Sequence, residues 1–124
     1  MKVYIVEDIL EARQALVRLL APAQGFEVVG QASSVREALI GIEAAAPEVV
    51  ILDISLLDGS GVEVLKHIRR RGWQLSVVVL TANLYEALRV KCQELGAVAV
   101  LDKINGLGQV RAALLADGRG LDRR

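Results

Sequence analysis

The sequence predicts an α/β fold in which five parallel strands form one sheet covered by helices on both faces. Two observations carry this prediction. Five short apolar, β-branched segments alternate with stretches whose apolar residues recur every three or four positions. In addition, most of the strand segments are nearly continuous runs of valine, isoleucine and leucine, which is typical of parallel strands buried on both faces. The pattern is a βα unit repeated five times, a doubly wound three-layer sandwich.

Each predicted strand is bounded by polar residues, glycine or proline. The strands cover residues 3–7, 27–32, 48–53, 76–82 and 97–103. A first helix is predicted over residues 9–20, and the pair Ser34 and Glu37 gives the S-x-x-E signal that begins the second. Apolar residues at helical spacing mark the other three helices: Val62, Leu65 and Ile68; Leu84, Leu88 and Leu95; Leu107, Val110 and Leu114.

Composition limits the classes of protein that the chain can represent. With 124 residues, 53% of them hydrophobic, we expect one compact domain over residues 1–117, followed at 118–124 by a tail or the start of a linker. The 15 basic residues balance the 15 acidic ones, so no global field favours nucleic acid or an anionic membrane.

The single cysteine, Cys92, excludes an internal disulfide and a multi-cysteine metal site. The N-terminus carries acids at positions 7 and 8, unlike a signal peptide, and no apolar run reaches the roughly 18 residues that span a bilayer. We therefore expect a cytoplasmic protein without a membrane segment.

Polar residues stand at the carboxyl ends of four predicted strands. Glu7 and Asp8 follow the first strand, Asp53 ends the third, Thr81 the fourth and Lys103 the fifth. Ligands of doubly wound sheets bind beyond these strand ends, where the strand order reverses. The sequence therefore predicts that these side chains lie together.

Three carboxylates in one crevice repel each other, and a divalent cation removes the conflict. Oxygen ligands without His or Cys favour Mg²⁺. Asp53 could then attack phosphorus, with Lys103 and Thr81 neutralising the transferring oxygens. Taken one at a time, Asp8 and Thr81 could instead cap helices, Asp53 begin a turn and Lys103 be solvated. That alternative is weaker for residues that all fall at one edge.

As a set, these residues resemble the receiver domains of two-component response regulators. The resemblance covers residues 2 to about 116 and rests on four motifs: Glu7-Asp8, Asp53 with Gly61 eight residues later, Thr81-Ala82 and Asp102-Lys103. It implies a flavodoxin-like sheet of strand order 2-1-3-4-5. It also implies these roles: Asp53 as phosphoacceptor; Asp8, Asp53 and the Ser55 backbone carbonyl as Mg²⁺ ligands; Glu7 holding a metal-bound water; Thr81 and Lys103 binding the phosphoryl group.

The resemblance also implies partners. A sensor histidine kinase or phosphotransfer protein would phosphorylate Asp53 and thereby switch the surface of helix 4, strand 5 and helix 5 for partner binding. The same surface carries Leu84, Leu88 and Leu107 interspersed with Arg89, Lys91 and Arg111. This mixture is compatible with a homodimer and equally with an ordinary solvated surface. We expect no direct nucleic-acid binding by this chain, no separate catalytic domain, and at most self-phosphorylation and autodephosphorylation.

The sequence departs from the family pattern at several positions. Val100 replaces the usual switch aromatic, for which Tyr85 could partly substitute, and Leu57 and Ile104 replace two common prolines. Two other functions therefore stay open. A pseudo-receiver would bind partners without phosphorylation, and an aspartyl-nucleophile phosphatase would need a second acid where Ser55 stands.

Overall fold

A computed structural model describes residues 1–20, 25–103 and 106–117. The strands in this part of the chain are β1 (Lys2–Val6), β2 (Glu27–Ala32), β3 (Val49–Asp53), β4 (Ser55–Leu56), β5 (Gly59–Ser60), β6 (Ser76–Thr81) and β7 (Ala99–Asp102). Five of them form a parallel sheet in the order β2-β1-β3-β6-β7. Because β6 and β7 are the fourth and fifth of the predicted strands, this is the expected order 2-1-3-4-5. The short β4 and β5 form an antiparallel hairpin that the sequence analysis did not predict.

The helices alternate with these strands as predicted. They are α1 (Leu10–Leu19), α2 (Val35–Ala45), α3 (Gly61–Arg71), α4 (Glu86–Glu94) and α5 (Val110–Asp117), the last preceded by a 3₁₀ turn at Leu107–Gln109. Helix α4 is shorter than its apolar pattern indicated, because Leu84 and Leu95 lie just outside it. None of the helices described is long and apolar enough to cross a membrane. The predicted tail at 118–124 lies outside the described residues.

Two apolar layers cover the sheet, because successive side chains of a strand point to opposite faces. In β1, Val3 and Ile5 pack with residues of α1 and α5, whereas Tyr4 and Val6 pack with residues of α2, α3 and α4. All four side chains are buried. The predicted three-layer sandwich is therefore confirmed, and its strand ends are fixed by a core on each side.

The two helices that flank the third strand begin at serine caps. The Ser34 hydroxyl accepts a hydrogen bond from the Glu37 amide at 3.1 Å, as the S-x-x-E signal predicted. The complete capping box is at α3, where Ser60 and Glu63 cap each other's backbone. Gly72 caps the C-terminal end of α3, and its φ of 65° is one that glycine adopts readily. The hairpin and the capping box together fix the chain that leaves Asp53.

Candidate functional site

Three acidic side chains meet at the point where the strand order reverses. Strands β1 and β3 are neighbours there, with Glu7 and Asp8 following β1 and Asp53 ending β3. One carboxylate oxygen from each residue lies within 4.8 Å of the other two. Glu7 is 1% exposed and Asp53 4%, whereas Asp8 is partly exposed. The predicted cluster of acids is therefore present.

Helix α1 begins beside this cluster without using Asp8 as a cap. Its N-cap residue is Ile9, which has no side-chain capping bond, and the Ile9 amide donates to Glu7 Oε2 at 3.0 Å. Asp8 therefore does not have the helix-capping role that was its simplest alternative explanation.

Lys103 reaches the cluster from the end of β7. Its Nζ lies 2.7 Å from Glu7 Oε1 and 3.3 Å from Asp53 Oδ2, and its side chain is only 15% exposed. The Lys103 amide donates to the Thr81 carbonyl oxygen at 2.8 Å, which ties the residue to the neighbouring strand. Lys103 is therefore an ion-pair partner of two buried acids rather than a solvated loop lysine.

Burial and charge act against each other on these groups. Burial raises the pKa of Glu7, as does the charge of Asp53, and the ion pair with Lys103 only partly offsets this. Burial alone would lower the pKa of Lys103, but the carboxylates of Glu7 and Asp53 outweigh it and raise that pKa above its ordinary value. The lysine is therefore firmly protonated at neutral pH.

Thr81 lies at the same edge of the sheet, one residue beyond the position on β6 that pairs with Asp53. It is 5% exposed, and its hydroxyl accepts a hydrogen bond from the Asn83 amide at 3.2 Å. Helix α4 has Tyr85 as its N-cap residue and no side-chain capping bond, so Thr81 does not cap that helix.

The chain turns sharply after Asp53. The Ser55 amide lies 3.4 Å from Asp53 Oδ1, and the Gly61 amide donates to the Ile54 carbonyl oxygen at 2.7 Å. A Cβ atom on Gly61 would collide with the backbone of Asp53 and Ile54. The spacing between Asp53 and Gly61 thus has a steric reason, since only glycine fits where α3 begins against the carboxylate loop.

Two positioning residues were missed by the sequence analysis. Asp58 accepts hydrogen bonds from the Val35 amide at 2.6 Å and the Arg36 amide at 3.1 Å, so the loop after Asp53 caps α2 from outside. Arg13 on α1 donates from Nη1 to the Glu7 carbonyl oxygen at 2.8 Å. Neither contact has a sequence signal, because both partners of each bond look like ordinary surface residues until the fold brings them together.

The departures from the family pattern have distinct surroundings. Val100 is buried in β7, and Arg89 Nη1 lies 3.4 Å from its carbonyl oxygen. Tyr85 is 56% exposed, and Leu57, at the turn of the β4–β5 hairpin, is 72% exposed. Ile104 lies outside the described residues. The substitute role of Tyr85 stays a prediction.

Two of the leucines named as candidates for a contact surface on α4 and α5 pack against the core instead. Leu88 is buried, and Leu84 packs against the core under α4. The side chain of Leu107 is outside the described part of the chain. Among the described residues of this region, the exposed large apolar side chains are instead Tyr85 and Val90. Both leucines were mistaken for surface residues because helical spacing alone does not say which face is buried.

The donor set fits a hard divalent cation. Three carboxylates converge, and within the described residues a single ammonium, that of Lys103, pairs with two of them. Two negative charges are left without compensation in a largely buried place, which is costly unless a cation binds. Oxygen ligands of this kind suit Mg²⁺.

Comparison with known proteins agrees with this geometry. Residues 3–115 match the family described as the response regulator receiver domain. The chain is similar to the DNA-binding transcriptional activator DevR/DosR of Mycobacterium tuberculosis, at 35% identity over 90% of this chain and 52% of that protein. It is also 34% identical to protein-glutamate methylesterase/protein-glutamine glutaminase 3 of Anaeromyxobacter dehalogenans, over 86% of this chain and 32% of that protein.

The fold has a close structural counterpart as well. The signal receiver domain of NarL from Mycobacterium tuberculosis superposes with a TM-score of 0.87 at 26% identity, over 96% of both chains. The chain spans about half the length of this relative, so the match concerns only part of that protein. The matched residues, the fold and the acidic cluster agree, and this chain therefore belongs to the response regulator receiver domain family.

Proposed function

We propose that Asp53 accepts a phosphoryl group, in an Mg²⁺-dependent transfer, from the phosphohistidine of a sensor histidine kinase or phosphotransfer protein. The observation that carries this proposal is the position of the Asp53 carboxylate, which is buried beside two further acids and 3.3 Å from the Lys103 ammonium. This carboxylate has a cation at hydrogen-bonding distance and lies in a cluster of acids that can bind a divalent ion. Such a group is suited to nucleophilic attack on phosphorus.

In this transfer an Asp53 oxygen forms the bond to phosphorus while the phosphorus–nitrogen bond of phosphohistidine breaks and its electron pair returns to the imidazole. Lys103 binds a phosphoryl oxygen through its ammonium, and Thr81 donates its hydroxyl to another. Thr81 accepts a bond from Asn83 through the same oxygen, which leaves the hydroxyl proton available.

Asp8, Asp53 and the backbone carbonyl of Ser55 would hold Mg²⁺, and Glu7 would hold one of its waters. When bound, the ion supplies positive charge that offsets the charge of the phosphoryl oxygens. Glu7 has a second task, because its ion pair keeps Lys103 at the site before the phosphoryl group arrives.

We further propose that phosphorylation changes the partner affinity of the surface formed by α4, β7 and α5, and that a homodimer uses the same surface. In the described part of this surface, the exposed large apolar side chains are Tyr85 and Val90. The similar proteins include a DNA-binding transcriptional activator and a protein-glutamate methylesterase, so the output partner of this chain is not defined by the family. Action in the cytoplasm, without direct nucleic-acid binding by this chain, remains our expectation.

The test is the intact mass of the protein after incubation with a small-molecule phosphodonor, with and without Mg²⁺. We expect one phosphoryl group, only with Mg²⁺, and none on the Asp53→Asn variant. Glu11→Gln is the control, because it removes an acidic side chain outside the cluster and should still be phosphorylated.

Two other results of this experiment would each have a different meaning. No adduct and no beryllofluoride complex, in a protein shown to bind Mg²⁺, would exclude phosphoryl transfer and favour a pseudo-receiver that binds its partners equally well as the Asp53→Asn variant. A stable beryllofluoride complex without an adduct would instead indicate rapid hydrolysis of the phosphoaspartate.

A further inference from the structure

The edge of the sheet opposite Asp53 carries a groove, here called the basal groove, between the loops that follow α2, α3 and α4. It consists of three adjoining hollows. One of about 270 Å³ lies between Pro47 and Trp73, one of about 320 Å³ between Trp73 and Leu95, and one of about 460 Å³ between Leu95 and Arg70. Neighbouring hollows share lining residues, so they form one continuous surface.

The apolar floor of the basal groove lies beside a cluster of cations. Lys66, Arg69 and Arg70 line the largest hollow. Their side chains are exposed, and none forms an ion pair or side-chain hydrogen bond with another described residue. Arg71 differs, since it pairs with Glu43 at 3.0 Å and lies over the Trp73 ring at 5.9 Å. The free cations are thus concentrated at the end of the groove near α4.

This concentration is local, because the chain as a whole has a formal net charge of zero. The negative end of a helix favours basic residues in its last turn, which accounts for part of the run. It does not account for Lys66, more than one turn before the helix end, nor for the apolar floor that the cations border. Trp73 and Leu95 are only partly exposed, because both also pack against the core. Cations beside such partly exposed apolar side chains are complementary to a ligand that carries both carboxylates and apolar groups.

We propose that the basal groove binds an acidic, leucine-containing segment of a partner protein. Carboxylates of the segment pair with Lys66, Arg69 and Arg70, and its apolar side chains rest against Trp73 and Leu95. This surface goes beyond phosphoryl transfer at Asp53, because it lies at the opposite end of the strands and shares no residue with the acidic cluster.

Nucleic acid fits the same surface less well. The three free cations lie within the five residues 66–70 of one helix, about 6 Å along its axis. This is a small contact area, whereas even a single DNA-binding module buries about 600–1,000 Å². Base stacking on Trp73 is also hindered, because Arg71 already lies over its ring and His67 contacts it edge-on at 5.3 Å. Charge complementarity at this small apolar groove therefore favours a protein segment.

The test uses the full chain, isotopically labelled, and a short synthetic peptide of glutamate and leucine as the probe. We expect its addition to shift the amide resonances of Leu95 and Gly96 and the indole resonance of Trp73. The Arg69→Gln/Arg70→Gln variant should bind about fivefold more weakly, as expected for the loss of two exposed charge pairs. Arg18→Gln/Arg36→Gln is the matched control, because it removes the same charge from other exposed positions.

Each alternative has its own outcome. A peptide with glutamine in place of glutamate should lose most of the binding, and Asp53→Asn should change nothing, which separates this proposal from the phosphorylation of Asp53. Equal weakening in both arginine pairs, or resonance shifts away from the basal groove, would overturn the proposal. So would tighter binding of a single-stranded oligonucleotide at the same residues.

Discussion

Lys103 Nζ lies 2.7 Å from Oε1 of Glu7, a residue 96 positions earlier in the chain that is itself 1% exposed. The distance from the same nitrogen to Asp53 Oδ2 is 3.3 Å. The ammonium therefore compensates two acids at once: a buried one directly after β1 and the proposed phosphoacceptor at the end of β3. In the metal-free protein, the stability of this sheet edge should depend on the lysine.

Replacing Lys103 by methionine should destabilise the metal-free protein. The change leaves Glu7 and Asp53 buried without their cation, and removing one partner of a buried pair costs about 3 kcal/mol. Urea unfolding with and without Mg²⁺ measures the effect, and Mg²⁺ should recover part of the loss. The Glu7→Gln/Lys103→Met double variant is the control, because its loss should be smaller than the sum of the two single losses. Additive losses would show that the pair does not interact.

Mg²⁺ should stabilise the protein through Asp8. An ion at a hundred times its dissociation constant adds about 2.7 kcal/mol to the free energy of unfolding. Asp8→Asn should abolish most of this gain and leave the metal-free stability equal or higher, since it removes one of three repelling carboxylates. Thermal unfolding across an Mg²⁺ titration measures both quantities. Glu11→Gln, an acidic change on α1 outside the cluster, should keep the full gain.

Asp58 should make the protein sensitive to acid. Hydrogen bonds from the Val35 and Arg36 amides hold the pKa of Asp58 below its ordinary value. A carboxyl whose pKa is lower in the folded state contributes stability above its unfolded pKa and loses it as the pH falls through the folded pKa. The wild type should therefore be more stable than Asp58→Asn at neutral pH, and the difference should shrink at pH values below the usual range of aspartate.

Hydrogen exchange gives a local measure of the same contact. The Val35 and Arg36 amides should exchange faster in Asp58→Asn, whereas the Val62 amide, which donates to Ser60 at the start of α3, should not change. A pH-independent stability difference would show that the negative charge of Asp58 is not what stabilises α2.

The contrast between Ser34 and Asp58 explains how much the sequence could predict. Ser34 and its bonding partner Glu37 are three residues apart, so the cap of α2 is visible in the sequence. Asp58 caps the same helix from 23 residues away, and no local pattern encodes that. The five strands, their helices and the convergence of Glu7, Asp8, Asp53 and Lys103 followed from strand endings and resemblance.

What could not be predicted depends on side-chain direction or on short irregular pairing. The leucines of α4 have helical spacing, but the spacing did not show that Leu84 and Leu88 face the core. The β4–β5 hairpin consists of two-residue strands, which are too short to produce an alternating pattern. Contacts such as Arg13 with the Glu7 carbonyl exist only once α1 is packed on the sheet.

Gly61→Ala should impair both stability and phosphorylation. Its Cβ would collide with the backbone of Asp53 and Ile54, which cannot rotate away as a side chain would, so either the carboxylate loop or the start of α3 must move. We expect a loss of about 1 to 3 kcal/mol, as for other overpacked sites, and slower phosphorylation by a small-molecule donor. Gly108→Ala is the matched control, because nothing lies within 4 Å of its Cβ position, and it should leave both quantities unchanged. If Gly61→Ala were as stable and as readily phosphorylated as this control, the position of α3 would not determine the geometry of the Asp53 loop.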